Sequence, residues 1–256
     1  MKLHTLSEGS YSVDASKKFI PFDPAVDKPS DRPGSLFIHV NPFLIETEKE
    51  LLVLDTGLGM NNSNGDLIIH ENIRSAGHSP EDVTKVLMSH LHYDHSGGMV
   101  WNRDGKLEPA FPNAEYVVNR QEWETAFSSN SKSYRTEIFD VIQRSGQITF
   151  VESNGILTDE ISYELTGGHC EFHQVFHVLS NGEHYFFGGD ILPEPEQLIR
   201  NFIAKYDFDG RLAKELRTEY GKKAAAENWI CLFYHSKGTT AGRVTENEQG
   251  FKIEAV

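Results

Sequence analysis

Short apolar runs separated by turn residues fill the first part of the chain. Leu36 to Val40, Phe43 to Thr47 and Leu51 to Leu54 read as strands, and the last runs into the turn Asp55-Thr56-Gly57. Together they predict a β-meander. Asp66 to Ala76 has helical spacing and stops at Gly77. Ser79-Pro80-Glu81-Asp82 then offers an N-cap, a proline at the first helical position and early acids, so a short helix should feed a strand over Val86 to Ser89. Further on, Ala114 to Val118 and Ile148 to Glu152 read as strands, with helices over Arg120 to Phe127 and Ser133 to Ser145. Glu171 to Ser180 and Tyr185 to Gly188 should pair as a hairpin around Ser180-Asn181-Gly182. Leu212, Leu216, Tyr220 and Ala224 recur every four residues, which puts one stripe of the helix Arg211 to Asn228 against a core. Strands near Trp229 to Tyr234 and Phe251 to Ala255 close the chain. Two groups of strands, each accompanied by helices, predict two packed sheets with helices outside.

Neither repeats nor a long linker divides the 256 residues, so one domain over 1–256 is expected. The net charge of −14 repels phosphate backbones and anionic lipid surfaces, which argues against nucleic-acid and membrane partners. Cys170 and Cys231 cannot form a disulfide framework, and no segment has the character of a signal peptide or a membrane span. A cytoplasmic protein, compatible with a homodimer, is the expectation.

Candidate chemistry is concentrated in Ser89-His90-Leu91-His92-Tyr93-Asp94-His95, three histidines and an aspartate directly after a predicted strand. Imidazole nitrogens and carboxylate oxygens are the donors a zinc-like cation takes. Alternation along an extended segment would send His90, His92 and Asp94 to one side, with His95 turning away. That split suits two neighbouring ions. His169, Asp190 and His235 each stand at a predicted junction of strand and loop, where rigid elements can aim them.

The string His90/His92/Asp94/His95, followed in order by His169, Asp190 and His235, resembles the metallo-β-lactamase superfamily of dinuclear metal hydrolases. The tail, with Gly189-Asp190, Tyr206-Asp207 and Phe233-Tyr234-His235, is similar to quorum-quenching lactonases and methyl parathion hydrolase-like enzymes. The resemblance implies an α+β fold, an αββα sandwich with the metals at one edge. It implies that His90, His92 and His169 hold one ion, that Asp94, His95 and His235 hold the other, and that Asp190 bridges them. Zn2+ is the foremost candidate, and Mn2+, Fe2+ or Co2+ suit the same donors. The implied reaction is attack of a metal-bridging hydroxide on a small carboxylic ester or lactone, with Asp94 returning a proton to the leaving oxygen. The alternatives are a phosphotriester or phosphodiester hydrolase with the same metal site, and a metal-binding protein without catalysis.

Two departures from the lactonase pattern stand out. Pro193 occupies the place where acyl-homoserine lactonases carry a substrate-binding tyrosine, and Cys170-Glu171-Phe172 replaces Thr-Pro-Gly before His173, so that Phe172 could reshape a wall. Tyr206 could take the tyrosine's part, although its pattern reads more simply as a buried aromatic. Phe19, Phe22, Trp101, Phe111 and Phe202 could line an acyl pocket or belong to the core. His173 could brace the site from behind; Asp55 could orient a metal histidine or simply close its turn.

Overall fold

The computed structural model describes residues 2–103, 105–200 and 202–256. A six-stranded sheet runs in the order Lys2–Thr5, Phe43–Glu46, Leu51–Leu54, Lys85–Leu87, Glu115–Asn119, Ile148–Val151. A seven-stranded sheet runs Gly155–Ile156, Ile161–Leu165, Gln174–Ser180, Glu183–Phe187, Ile230–Leu232, Ala241–Asn247, Gly250–Ala255.

Strand alternation explains how the layers stack, because successive side chains of a strand face opposite sides. In Leu51–Leu54, Val53 faces a helix-covered cluster with Ile69, Trp123, Phe139 and Ile142, while Leu52 and Leu54 face the second sheet. In the second sheet, Phe176, Val178 and Phe187 meet them from the other side. Val175 and Phe186 point outward instead, against Ala213, Tyr220 and Ala224 of the helix Gly210–Glu227. The result is the expected αββα sandwich.

Most predicted elements fall within a few residues of their positions, including the hairpin of Gln174–Ser180 and Glu183–Phe187. Its turn carries positive φ at both Asn181 (52°) and Gly182 (78°), the geometry that twists with the strands. The predicted stripe on the long helix holds at Tyr220 and Ala224, which are buried, and at Leu216, which packs partly buried against the same cluster. The helix's buried positions are Ala213, Arg217, Tyr220, Gly221 and Ala224, whereas Leu212 is exposed. The hydrophobic period passed over Arg217 because that buried position is charged. An additional three-stranded sheet, Phe19–Pro21, Gly9–Val13 and Leu36–Val40, also departs from the expected meander. Leu36–Val40 pairs with Gly9–Val13 and not with Phe43–Glu46.

Topology gathers the candidate residues at one edge. Leu51–Leu54, Lys85–Leu87 and Glu115–Asn119 are mutually parallel, so Asp55 and the segment from Ser89 onward leave their sheet on the same side. Glu183–Phe187 and Ile230–Leu232 are parallel too, which brings Asp190 and His235 out together. Gln174–Ser180 runs antiparallel to Glu183–Phe187 and starts at that edge, so the loop carrying His169 arrives there as well. The Gln174 backbone N–H donates to the Ser89 carbonyl at 2.9 Å and joins the two sheets beside the site.

Candidate metal centre

The segment after Lys85–Leu87 is not extended throughout, as alternation required. It becomes a helical turn over Tyr93–Ser96, and this turn separates Asp94 and His95 from His90 and His92. A tight approach makes that turn possible. A Cβ on Gly98, in the turn Gly97–Met99 that follows, would overlap the Thr56 carbonyl oxygen, so the chain just beyond Ser96 packs directly on the loop after Asp55.

All seven predicted residues converge. The ligand-type atoms of His90, His92 and His169 lie within 4.8 Å of one another, as do those of Asp94, His95 and His235. In the first triad the Nδ1 of His92 faces both the Nε2 of His90 and the Nε2 of His169, each at 3.1 Å. In the second, the Oδ2 of Asp94 is 4.0 Å from the Nε2 of His95 and 3.7 Å from that of His235. Asp190 lies between the triads. Its Oδ1 is 3.2 Å from His95 and 3.1 Å from His235, and its Oδ2 is 3.2 Å from His169.

This donor set fits a pair of divalent cations. The Nε2 of His95 and the Oδ1 of Asp190 are buried and lack a hydrogen-bond partner of acceptable geometry, although they face each other. Buried polar atoms in such a position call for a ligand between them. Nitrogen and carboxylate oxygen donors without thiolate match zinc and its first-row neighbours. Cys170 takes no part, because its thiol donates to Glu122 Oε2 at 3.4 Å.

Charge is distributed accordingly. Burial opposes ionisation of Asp190, yet His235, His169 and His95 around it hold its carboxyl well below the usual range. Burial also disfavours a charged His95, but Asp190 and Asp55 outweigh it and hold the imidazole well above its ordinary value. Positive charge is therefore favoured at this point, whether it arrives as a proton or as a cation. His90 and His92 are pushed well below the usual range, chiefly by burial and then by their histidine neighbours, so they stay neutral with lone pairs free.

A further layer of residues fixes the rings. His95 Nδ1 donates to Asp55 Oδ2 at 2.7 Å, and Ser89 Oγ donates to the same oxygen at 2.6 Å while standing 3.0 Å from His90 Nδ1. Asp55 therefore does both things proposed for it: it closes its turn at φ 51° and it orients the histidines. His169 Nδ1 donates to Asp207 Oδ1 at 3.0 Å, and His235 Nδ1 donates to the His39 carbonyl at 2.7 Å. Such partners fix the tautomer and aim the other nitrogen. His173 accepts the Asp190 backbone N–H at 3.1 Å. Gly189 makes that approach possible, since its φ is 48° and a Cβ would come within 2.7 Å of both His173 and Ser89.

Some participants had little or no signal in the pattern. Tyr234 stacks on His95 with centroids 4.2 Å apart and donates its hydroxyl to the Asp94 carbonyl at 2.7 Å; its place before His235 was the one available hint. Glu8 lies far away in sequence and accepts the backbone N–H groups of Leu58, Gly59 and Met60, holding the loop beneath the Tyr93–Ser96 turn.

A cavity of about 300 Å³ opens beside Asp94, Asp190 and His235. Of the five aromatics proposed for it, Phe19 and Phe202 line it, Phe22 lines a neighbouring hollow, and Trp101 and Phe111 belong to the helix-side core. Phe172 is not among its lining residues. Tyr206 is a correction: it is 42% exposed at the cavity, with its hydroxyl accepting from Gln197 Nε2 at 2.7 Å. Pro193 also faces the cavity, and its carbonyl accepts the His235 backbone N–H at 2.8 Å.

Residues 37–235 match the model of the metallo-beta-lactamase superfamily, and the chain belongs to that superfamily. Among curated proteins it is similar to the N-acyl homoserine lactonase AttM of Agrobacterium fabrum, 41% identical over 150 residues that cover 54% of this chain and 48% of that protein. The chain spans about half the length of the curated relatives it matches. Among solved structures, a probable metal-dependent hydrolase from Staphylococcus aureus superposes with a TM-score of 0.78 at 21% identity, covering 100% of this chain and 96% of that one. AidC, a dizinc quorum-quenching lactonase in complex with a product, N-hexanoyl-L-homoserine, gives 0.71 at 21% identity, covering 99% and 94%. At those identities the structural likeness speaks for the fold.

Proposed function

We propose that this chain is a dinuclear metal-dependent hydrolase of small carboxylic esters or lactones, with acyl lactones as the substrate class, and that it works as one domain. The carrying observation is the division of Asp190, whose two oxygens address different histidine triads at 3.1 to 3.2 Å. A carboxylate so placed can serve two cations at once, whereas a purely structural ion favours a closed site of four ligands. His90, His92 and His169 would hold one ion, Asp94, His95 and His235 the other. Zinc is the foremost candidate. When bound, such ions supply acidified water as nucleophile and polarise a carbonyl oxygen.

The remaining tasks fall to the chain itself. Asp94 faces the cavity and stands farther from His95 and His235 than Asp190 does, so it can take a proton and pass it to the leaving oxygen. Val13, Phe19, Leu36 and Ile38 offer an apolar wall to an acyl group. The names of the curated relatives favour a lactone, and the substitution of Pro193 for the lactonase tyrosine leaves Tyr206, at the cavity and 5.9 Å from the His169 ring, as the hydroxyl in its place.

Rates on an acyl lactone, an aryl ester and a paraoxon-like triester, measured with and without added zinc, test this reading. Zinc-dependent hydrolysis of the lactone and ester is expected. Activity on the phosphorus compound alone would replace the proposed substrate class.

A further inference from the structure

Among the residues lining the cavity, Lys17 carries the one permanent positive charge. Its companions there are the carboxylates Asp94, Asp190 and Glu194 and an apolar wall that includes Val13 and Phe19 on either side of it in sequence. Among the described residues its ammonium has no ion-pair or hydrogen-bond partner. Lys17 is nevertheless half-buried, unlike its exposed neighbour Lys18.

The backbone keeps it there at a cost. Asp14 Oδ1 accepts the N–H and hydroxyl of Ser16 at 2.8 and 2.6 Å, and the Lys17 N–H donates to the Asp14 carbonyl at 3.0 Å. Within this turn Lys17 has a φ of 58°, a left-handed conformation that costs a side-chain-bearing residue about 1 kcal/mol. Its charge is also left without a counter-ion among the described residues. Neither feature helps the fold, and both are accounted for if a ligand brings the missing anion.

We propose that Lys17 pairs with a carboxylate at the end of the acyl group remote from the scissile bond, so that the substrate is an anionic ester or lactone. This rests on the hydrolase reading above. An aliphatic spacer would lie along Val13 and Phe19, and a single carboxylate matches the charge of a single lysine, whereas a phosphate dianion would need further donors.

The test compares 4-nitrophenyl hexanoate with the mono(4-nitrophenyl) ester of adipic acid, which has the same chain length and a terminal carboxylate. Zinc-loaded wild type, Lys17→Met and Lys17→Arg are assayed at low salt. The ratio of kcat/KM for the carboxylated over the neutral ester should fall at least tenfold in Lys17→Met, through KM, and be largely kept in Lys17→Arg. An unchanged ratio in Lys17→Met overturns the proposal. Calorimetry with adipate gives a readout that needs no turnover: its Kd should rise by a similar factor in Lys17→Met, and equal affinities would overturn the pairing. If neither ester nor any lactone is hydrolysed, the hydrolase reading fails, while the adipate titration still decides the role of Lys17.

Discussion

Asp55 addresses His95 directly and His90 through Ser89, so one buried carboxylate aligns a histidine in each triad. Asp55→Asn keeps the shape but loses the second acceptor oxygen, and the His95 tautomer is no longer fixed. Zinc affinity should drop by roughly 10- to 100-fold in a competitive chelator titration; wild-type affinity would contradict the orienting role. Glu8 makes a different prediction. Burial pushes its carboxyl up to about 7 despite three backbone donors, against 4.5 for the free group. The unfolded chain therefore loses this proton first, and stability contributed at this residue falls as pH rises from about 4.5 to about 7, by on the order of 3 kcal/mol in full. Urea unfolding of wild type and Glu8→Gln across that range should show wild type losing ground to the variant and then levelling off. A pH-independent difference would contradict it. The histidine string was legible because histidines are rare enough for three in six positions, with an aspartate among them, to stand out. Glu8 was not, because its partners are backbone N–H groups 50 positions away and leave no trace in residue type.

Among the elements, the helix Gly210–Glu227 was legible in extent and in most of its inward stripe. Its four-residue hydrophobic repeat selected Leu216, Tyr220 and Ala224 on the inward side and Leu212, which is exposed, but it passed over Arg217, which shares that inward face and is fully buried. Arg217 donates to the carbonyls of Ile191 at 2.7 Å and Phe202 at 3.0 Å, and lies 3.4 Å from Asp207, the partner of His169. The helix thus braces the loops on either side of the cavity. Arg217→Leu would leave the Asp207 carboxylate buried without its cation, at a cost of about 3–5 kcal/mol in denaturant unfolding. Adding Asp207→Asn should recover part of that loss; a neutral single variant would show that the ion pair does not brace the site. The small sheet of Gly9–Val13, Phe19–Pro21 and Leu36–Val40 was legible only in its last strand. Its other strands are short and partly exposed, with little alternation to read, yet this sheet supplies the apolar wall of the cavity.

At the scale of the whole molecule, two packed sheets with helices outside were legible from two groups of strands each accompanied by helices, and the αββα order from the family that the metal-donor string resembles. Which strands lie side by side was not, since pairing across the sheet depends on contacts distant in sequence. The site inherits that property: His90 to His95 come from the six-stranded sheet, His169, Asp190 and His235 from the seven-stranded one. Cations held between them would tie the sheets together and stabilise the folded chain by mass action. The central claim is that Asp190 joins two cations into one hydrolytic centre. Metal content per chain, measured together with lactone hydrolysis for wild type and Asp190→Asn after dialysis against zinc, tests it most directly. Two ions and turnover are expected in wild type, with fewer than two ions and at least a hundredfold slower hydrolysis in the variant. A folded Asp190→Asn protein that keeps both ions and the wild-type rate would contradict it.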